Sequence, residues 1–134
     1  MYAIRRTEVF TSWLDHLRDA RVRVRVLACL DRVAQEVFGD TKTYRYDTAE
    51  HLRTPEEMAL YLEACLEEAN GDAAFIAQAL GNIAKAKGMS QVARDTGLSR
   101  ESLYKALSGE RSPGFDTILR VINPLGMKLH AEAK

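Results

Sequence analysis

Apolar residues recur along this chain at helical spacing, and polar or glycine-containing breaks divide them into segments. Residues 2–7 form a short extended candidate. Over 10–17, Phe10, Trp13, Leu14 and Leu17 share one helical face. Asp19 is placed to cap a longer helix over 20–38, whose face runs through Val22, Val26, Cys29 or Leu30, Val33 and Val37. Arg21, Arg23 and Arg25 alternate with Val22, Val24 and Val26, which also fits a strand. The continuation ACLDRVAQEV has helical period and favours the helix, which Gly39 ends. The polar stretch 40–52, with Tyr44 and Tyr46, is a linker or a short extended arm. Thr54-Pro55-Glu56-Glu57 is a helix start: Thr54 caps, Pro55 takes the first helical position and Glu57 closes the box. That helix turns Met58, Leu62, Cys65, Leu66 and Ala69 inward and ends near Asn70-Gly71. Asp72 opens the next helix, over 73–87, with Phe75, Ile76, Ala79, Leu80, Ile83 and Ala84 apolar and Gly88 as its stop. Two short helices follow, over 90–96 and 99–107, closed by Ser108-Gly109. After the loop Ser112-Pro113-Gly114, a helix over 115–122 points Phe115, Ile118, Leu119 and Ile122 inward and closes near Pro124. Residues 126–131 alternate like a short terminal strand, which requires a partner strand. A second copy of the chain, or the arm carrying Tyr44 and Tyr46, is the candidate partner.

A chain of 134 residues supports one modest core, or a small domain with an appendage. With apolar residues at 46% and three prolines, a largely helical fold is expected. No apolar run is long enough for a membrane span, and MYAIRRTEVF carries charge where a signal peptide needs its apolar segment, so the expected location is the cytoplasm. Cys29 and Cys65 lack any CxxC or Cys/His company. They read as two buried thiols, with neither a disulfide nor a zinc site. No cofactor is expected. The net charge is zero but unevenly spread: residues 1–46 carry nine Lys/Arg against six Asp/Glu, 47–82 one against eight, and 83–134 nine against five. Local field, rather than total charge, decides where a phosphate backbone docks. The basic excess of the last block is modest, so tight non-specific binding by a monomer is not expected.

The last block contains GMSQVARDTGLSRESLYKALSGE, residues 88–110, which has the layout of a DNA-reading helix-turn-helix. Two helices this short approach closely only through a small contact residue, and Ala93 supplies it. Gly97 sits in the turn, where a left-handed backbone costs glycine nothing. Leu98 follows it into the core. Ser99 caps the second helix, while Ser102 keeps its hydroxyl for other work. Val92, Leu98, Leu103 and Ala106 or Leu107 form the buried side. The outer side carries Ser99, Arg100, Glu101, Ser102, Tyr104 and Lys105, and the N-terminal residues of such a helix reach base edges. Arg100 has the fork that matches a guanine edge. Ser99 and Ser102 fit a base or a phosphate. Tyr104 and Lys105 fit phosphate, as do Gln91 and, from the following loop, Arg111 and Ser112. Glu101 either accepts from a cytosine amino group or pairs with Lys105 one turn on. Short helix-Gly-helix units also occur in bundles with no DNA role. The polar, basic outer face is what favours DNA here.

Catalysis finds less support. Acid–base cleavage of RNA is the main enzymatic alternative, and it needs a base, an acid and cations around one scissile group. His16, His51 and His130 are isolated in sequence and read as surface or packing residues. Arg21, Arg23 and Arg25 read as a solvated helix face. No nucleotide-binding glycine loop or nucleophile motif is present. The chain is expected not to be an enzyme.

Several stretches resemble HigA-like antitoxins of the addiction module antidote family: YDTAEHL, TPEEMALYLEACLEEA, ALGNIAKAKGMSQVARDTGLSRESLYKALSGE and PGFDTILRVINPLGMKL. The resemblance spans residues 43–133 and is most specific over 79–110. It implies an all-α, λ-repressor-like helix-turn-helix domain that binds operator DNA as a homodimer, represses transcription and partners a toxin. The first 40 residues instead resemble the first strand and two helices of a HigB/RelE-like toxin whose sheet is missing. The chain then divides into a toxin-derived segment, 1–40, and an antitoxin-like DNA-binding domain, 41–134, the simplest origin being a deletion that joined two reading frames. A helix pair without its sheet exposes Trp13, Leu17, Val26, Leu30 and Val33. These must be covered by the helix around residues 58–69 or by a second subunit.

Overall fold

The computed structural model describes residues 8–38, 48–110 and 112–133. The described residues form seven α-helices: α1 (Glu8–Asp15), α2 (Ala20–Phe38), α3 (Pro55–Ala69), α4 (Ala73–Lys87), α5 (Met89–Thr96), α6 (Arg100–Ala106) and α7 (Phe115–Ile122). A 3-10 turn, Thr48–His51, leads into α3. The all-helical expectation holds. The extended candidate at 2–7 and most of the polar arm lie outside the described residues. Residues 126–131 form no strand among the described residues, and both expected partners, a second copy and the arm carrying Tyr44 and Tyr46, lie outside them. Turn bonds from Gly126 N–H to Asn123 and from Met127 N–H to Ile122 close α7.

Local signals set the helix starts. Thr54 is extended and accepts from the Glu57 N–H at 3.1 Å, and Pro55 opens α3. The Glu57 carboxylate reaches one residue further back than a standard box, to the Arg53 N–H at 3.0 Å. Asp72 caps α4 by accepting from the Ala74 and Phe75 N–H groups. Asn70, in the left-handed region, ends α3, a conformation its short polar side chain tolerates.

One core joins all these helices. Its largest fully buried side chains include Tyr61, Phe75, Leu14, Leu27, Leu80, Ile83 and Leu103. α2 lies along α3, and α4 runs through the centre, touching the 3-10 turn, α3, α5 and α7. The face that α2 buries differs from the expected one. Val24, Leu27, Ala28, Asp31 and Ala34 are buried, while Val22, Cys29 and Val33 are exposed. Two alanines let α2 and α3 approach closely, and Asp31, which breaks the apolar pattern in sequence, is satisfied inside. Its carboxylate accepts from the Thr48 hydroxyl at 2.7 and 2.8 Å and from the Tyr61 hydroxyl, which in turn accepts from Asn82 Nδ2 at 3.1 Å. Other inward assignments also shift: Trp13, Leu66, Phe115 and Leu119 are exposed, and α7 buries Val121 and Ile122. Of the two thiols, only Cys65 is buried.

Candidate nucleic-acid interface

Residues 88–110 fold as α5, a tight turn and α6. α4 ends in Lys85–Lys87 and hands over at Gly88, whose φ of 116° suits glycine. Met89, Val92, Ala93 and Thr96 turn inward from α5. Gly97 adopts φ 76° and ψ 11°, and its N–H caps the Ala93 and Arg94 carbonyls. The buried Thr96 hydroxyl donates to the Ala93 carbonyl at 3.0 Å and accepts from the Leu98 N–H at 3.3 Å, so one side chain stitches both sides of the turn. Ser99 is extended, and its hydroxyl accepts from the Ser102 N–H at 3.0 Å. Leu103 is fully buried, Leu107 is buried, and Leu98 and Ala106 pack partly against the core. The four residues expected to build the unit, Ala93, Gly97, Leu98 and Leu103, therefore occupy the turn and the contact between the two helices.

The outer face of α6 is as polar as its sequence suggests. Arg100, Glu101, Ser102, Tyr104 and Lys105 are exposed together, with Ser99 at the start. Glu101 and Lys105 stand 3.6 Å apart one turn from each other, both about four-fifths in solvent. The Ser102 hydroxyl is engaged, 2.9 Å from the Ser99 hydroxyl, and so is less free than expected. On α5, Gln91 donates to Asp95 at 2.9 Å and accepts from Arg94 at 2.8 Å, forming an exposed chain of three polar groups. Arg94 was not singled out by sequence. Its spacing of three residues from Gln91 is the signal that could have found it, since residues three apart are neighbours on a helix surface. Arg111 lies outside the described residues. Ser112, in the loop before α7, is exposed.

Two glycine contacts fix how α6 is carried: Gly81 was not singled out in the sequence, and Gly109 was read there only as the stop of the second helix. A Cβ on Gly81 of α4 would stand 2.9 Å from the Leu107 carbonyl oxygen. A Cβ on Gly109 would stand 2.4 Å from the Gln78 side chain, and Gly109 has a φ of 81°. At Gly81 the end of α6 is thus pressed against α4 at a distance only glycine permits, while at Gly109 the positive φ and the Gln78 side chain both favour glycine. This contact sets the height of α6 above the core.

The histidines do not converge. His16, one residue past α1, bonds through Nδ1 to the Ser12 carbonyl of that helix at 2.6 Å. His51 is buried beside Asp15 at 3.3 Å, and His130 is exposed near the C-terminus. Cys65 is enclosed, and burial pushes its thiol well above the ordinary range. Burial, followed by the neighbouring Glu68 carboxylate, also raises the Cys29 thiol. No helix of the described residues is long and apolar enough to cross a membrane.

No solved structure matches the chain. One curated relative, described only as an uncharacterized protein of Haemophilus influenzae, is 48% identical over 87 residues, which cover 65% of this chain and 88% of the relative. The family model described as "probable addiction module antidote protein" matches residues 42–133, beginning just before the 3-10 turn and running through α7. This agrees with the span expected from the sequence, and α1 and α2 stand outside it. Over more than half of its length, then, the chain belongs to the family of probable addiction module antidote proteins.

Proposed function

We propose that this chain is a non-enzymatic antidote protein that binds operator DNA through α6, represses transcription from its own upstream region and partners a RelE/HigB-like toxin. The observation that carries the DNA reading is the outer face of α6. Ser99, Arg100, Glu101, Ser102, Tyr104 and Lys105 are exposed together above a fully buried Leu103. An α-helix fits the major groove, and an arginine near its start matches a guanine edge with two donors. Tyr104, Lys105, Gln91, Arg94 and Ser112 are suited to the flanking phosphates, and this role extends to Arg111. No cofactor or metal enters the reading.

A homodimer belongs to the same proposal, because one short helix reads few bases. α7 exposes Phe115 and Leu119 one turn apart, and Asp116 and Arg120 flank them in the same spacing. Two such helices running antiparallel would set each Asp116 against the partner's Arg120 around an apolar centre, as a two-fold interface requires. A toxin-derived origin for residues 1–40 stands beside this as the reading of the segment outside the family match.

The test is binding of the purified protein to its own upstream DNA, with unrelated DNA as control, across a salt series. A preference for the upstream fragment is expected. Arg100→Ala should cost about 1–3 kcal/mol and relax that preference. Lys105→Ala should weaken binding to all sequences and lower the salt slope by about one unit. If both variants and the parent bind alike, α6 is not the reading helix. The second reading, a module that neutralises a toxin without touching DNA, is favoured by the acidic block 47–82 and predicts no upstream preference at any salt.

A further inference from the structure

The seam between α2 and α3 is unlike an ordinary helix contact. α2 sets Val24, Leu27, Ala28 and Ala34 into the core beside Tyr61, Leu62, Ala64 and Cys65 of α3. Among the described residues three ion pairs cross it, each with the arginine on α2 and the acid on the other side: Arg23 with Glu57, Arg25 with Glu67 at 2.7 Å, and Arg32 with Asp72 at 2.8 Å. Arg32 also lies over the Phe75 ring, 5.1 Å from its centroid. Asp31 accepts from Thr48 and Tyr61 at the centre. Every acid and hydroxyl on the receiving side lies within the antidote segment 42–133, and every residue of α2 lies outside it. The Haemophilus relative has about a dozen residues beyond its 87 aligned ones. A chain of that length that holds the antidote segment has no room for counterparts of α1 and α2.

We propose that this face of α3, with Asp72 at its end, is the partner-docking groove of the antidote segment, built to take a basic amphipathic helix of a toxin, and that α2 fills it in cis. This rests on the antidote reading above. The groove defines its occupant by chemistry. The occupant carries small or branched apolar residues at the spacing of 24, 27, 28 and 34, and arginines at the positions of Arg23 and Arg32. At the position of Asp31 it carries an acceptor for the Tyr61 hydroxyl. A toxin helix that meets these demands competes with α2, which is tethered and so present at an effective concentration of about millimolar. The intact chain is therefore a weakened antidote, and release of α2 strengthens it.

The experiment uses the whole chain with a protease recognition sequence placed within residues 40–47, cut after folding. The probe is a fluorescent peptide of residues 18–38. Expected is uptake of the peptide by the cut chain at least tenfold above the uncut chain, with the helical signal of the remainder retained. A peptide carrying Arg23→Glu and Arg32→Glu should compete at least tenfold less well. The proposal is overturned if the remainder loses its helical signal as the first segment leaves, because α2 is then an integral core helix. It is equally overturned if the fold persists but the peptide does not enter, or if both peptides enter alike. No toxin takes part in this measurement, so the antidote reading is scored separately by rescue of toxin-arrested growth. Uptake without rescue overturns the toxin as occupant.

Discussion

The α2–α3 seam and the outer face of α6 draw on the same residue types and put them to opposite ends. In the shielded part of the seam, Arg23 and Glu57 each keep 12% of their side-chain surface in water and Arg32 keeps 18%, while Arg25 and Glu67 at its edge keep 59% and 51%. On α6, Lys105 and Glu101 keep 79% and 82%. Shielded charges are held in one geometry and become costly to orphan, whereas an exposed pair is worth roughly 0.2–1 kcal/mol and yields readily to a new partner. A chain with zero net charge can therefore still present available cations. Three acids of its acidic block, Glu57, Glu67 and Asp72, are paired with α2, and the α6 face is left to solvent.

The sharpest way to break this contrast is to remove the charge at the centre of the seam. Asp31→Ala leaves the Thr48 and Tyr61 hydroxyls without their shared acceptor, and burial and the Asp31 charge already hold the Tyr61 phenol well above its ordinary range. A loss of about 3 kcal/mol is expected from the unsatisfied hydroxyls and the cavity. The urea midpoint reads it. Arg100→Ala, on the other face, should move the same midpoint by less than about 0.5 kcal/mol. Comparable losses from both would mean that the two faces are not energetically distinct.

The same contrast explains what was legible in the sequence. Thr54-Pro55, Asp72 and Gly97 act on their immediate neighbours, and the helices they start or stop stand where the spacing puts them. The α5–α6 unit was readable for that reason: its contacts, Ala93 to Gly97 and Ser99 to Ser102, span a few residues. The inward face of α2 was not readable. Its central residue is an aspartate whose partners lie 17 and 30 residues away, and no periodicity anticipates that an acid there is satisfied. Val22 and Val33 looked like core by period and are exposed, because Ala28 and Ala34 supply the closer approach. The contacts of Gly81 and Gly109 were invisible for a related reason, although Gly109 was legible as a helix stop. Their neighbours, Leu107 and Gln78, are distant in sequence.

Gly81 provides the next step down in magnitude. Gly81→Ala gains helix propensity of about 1 kcal/mol, but its methyl meets the Leu107 carbonyl at 2.9 Å, which is backbone and does not rotate away. Overpacking of this kind typically costs about 1–3 kcal/mol, so a small net loss is expected, and α6 must shift to accommodate it. The informative readout is operator affinity alongside the thermal midpoint. Affinity should fall more than stability, since the contact fixes the height of α6 rather than the core itself. A variant that is more stable and binds normally would show that the contact is slack.

Asp72 sits at the end of the seam and reports on it through pH. The Arg32 guanidinium, and then the Phe75 and Ala74 N–H groups, hold its carboxyl below the ordinary value of 3.8 against the opposing effect of burial. The folded state therefore resists protonation more than the unfolded chain does. The resulting stability is complete above the unfolded value and is lost as pH falls through the folded one. The parent should lose stability more steeply below about pH 4 than Asp72→Asn, which at neutral pH should cost up to about 1 kcal/mol. Parallel pH profiles would detach Asp72 from the seam.

The smallest change in stability carries the finest question about the other face. Glu101→Gln removes one partner of an exposed pair, so the urea midpoint should move by less than about 0.5 kcal/mol. Its effect on DNA depends on what Glu101 does. If it only pairs with Lys105, its loss frees that ammonium and takes a negative charge off the docking face. Binding to upstream and unrelated DNA should then strengthen together, most clearly at low salt, where the attraction is least screened. If instead Glu101 accepts from a cytosine amino group, the upstream fragment alone should lose about 1–3 kcal/mol. The 3.6 Å approach of Lys105, held in water, favours the first outcome: a solvent-exposed pair that a phosphate can open.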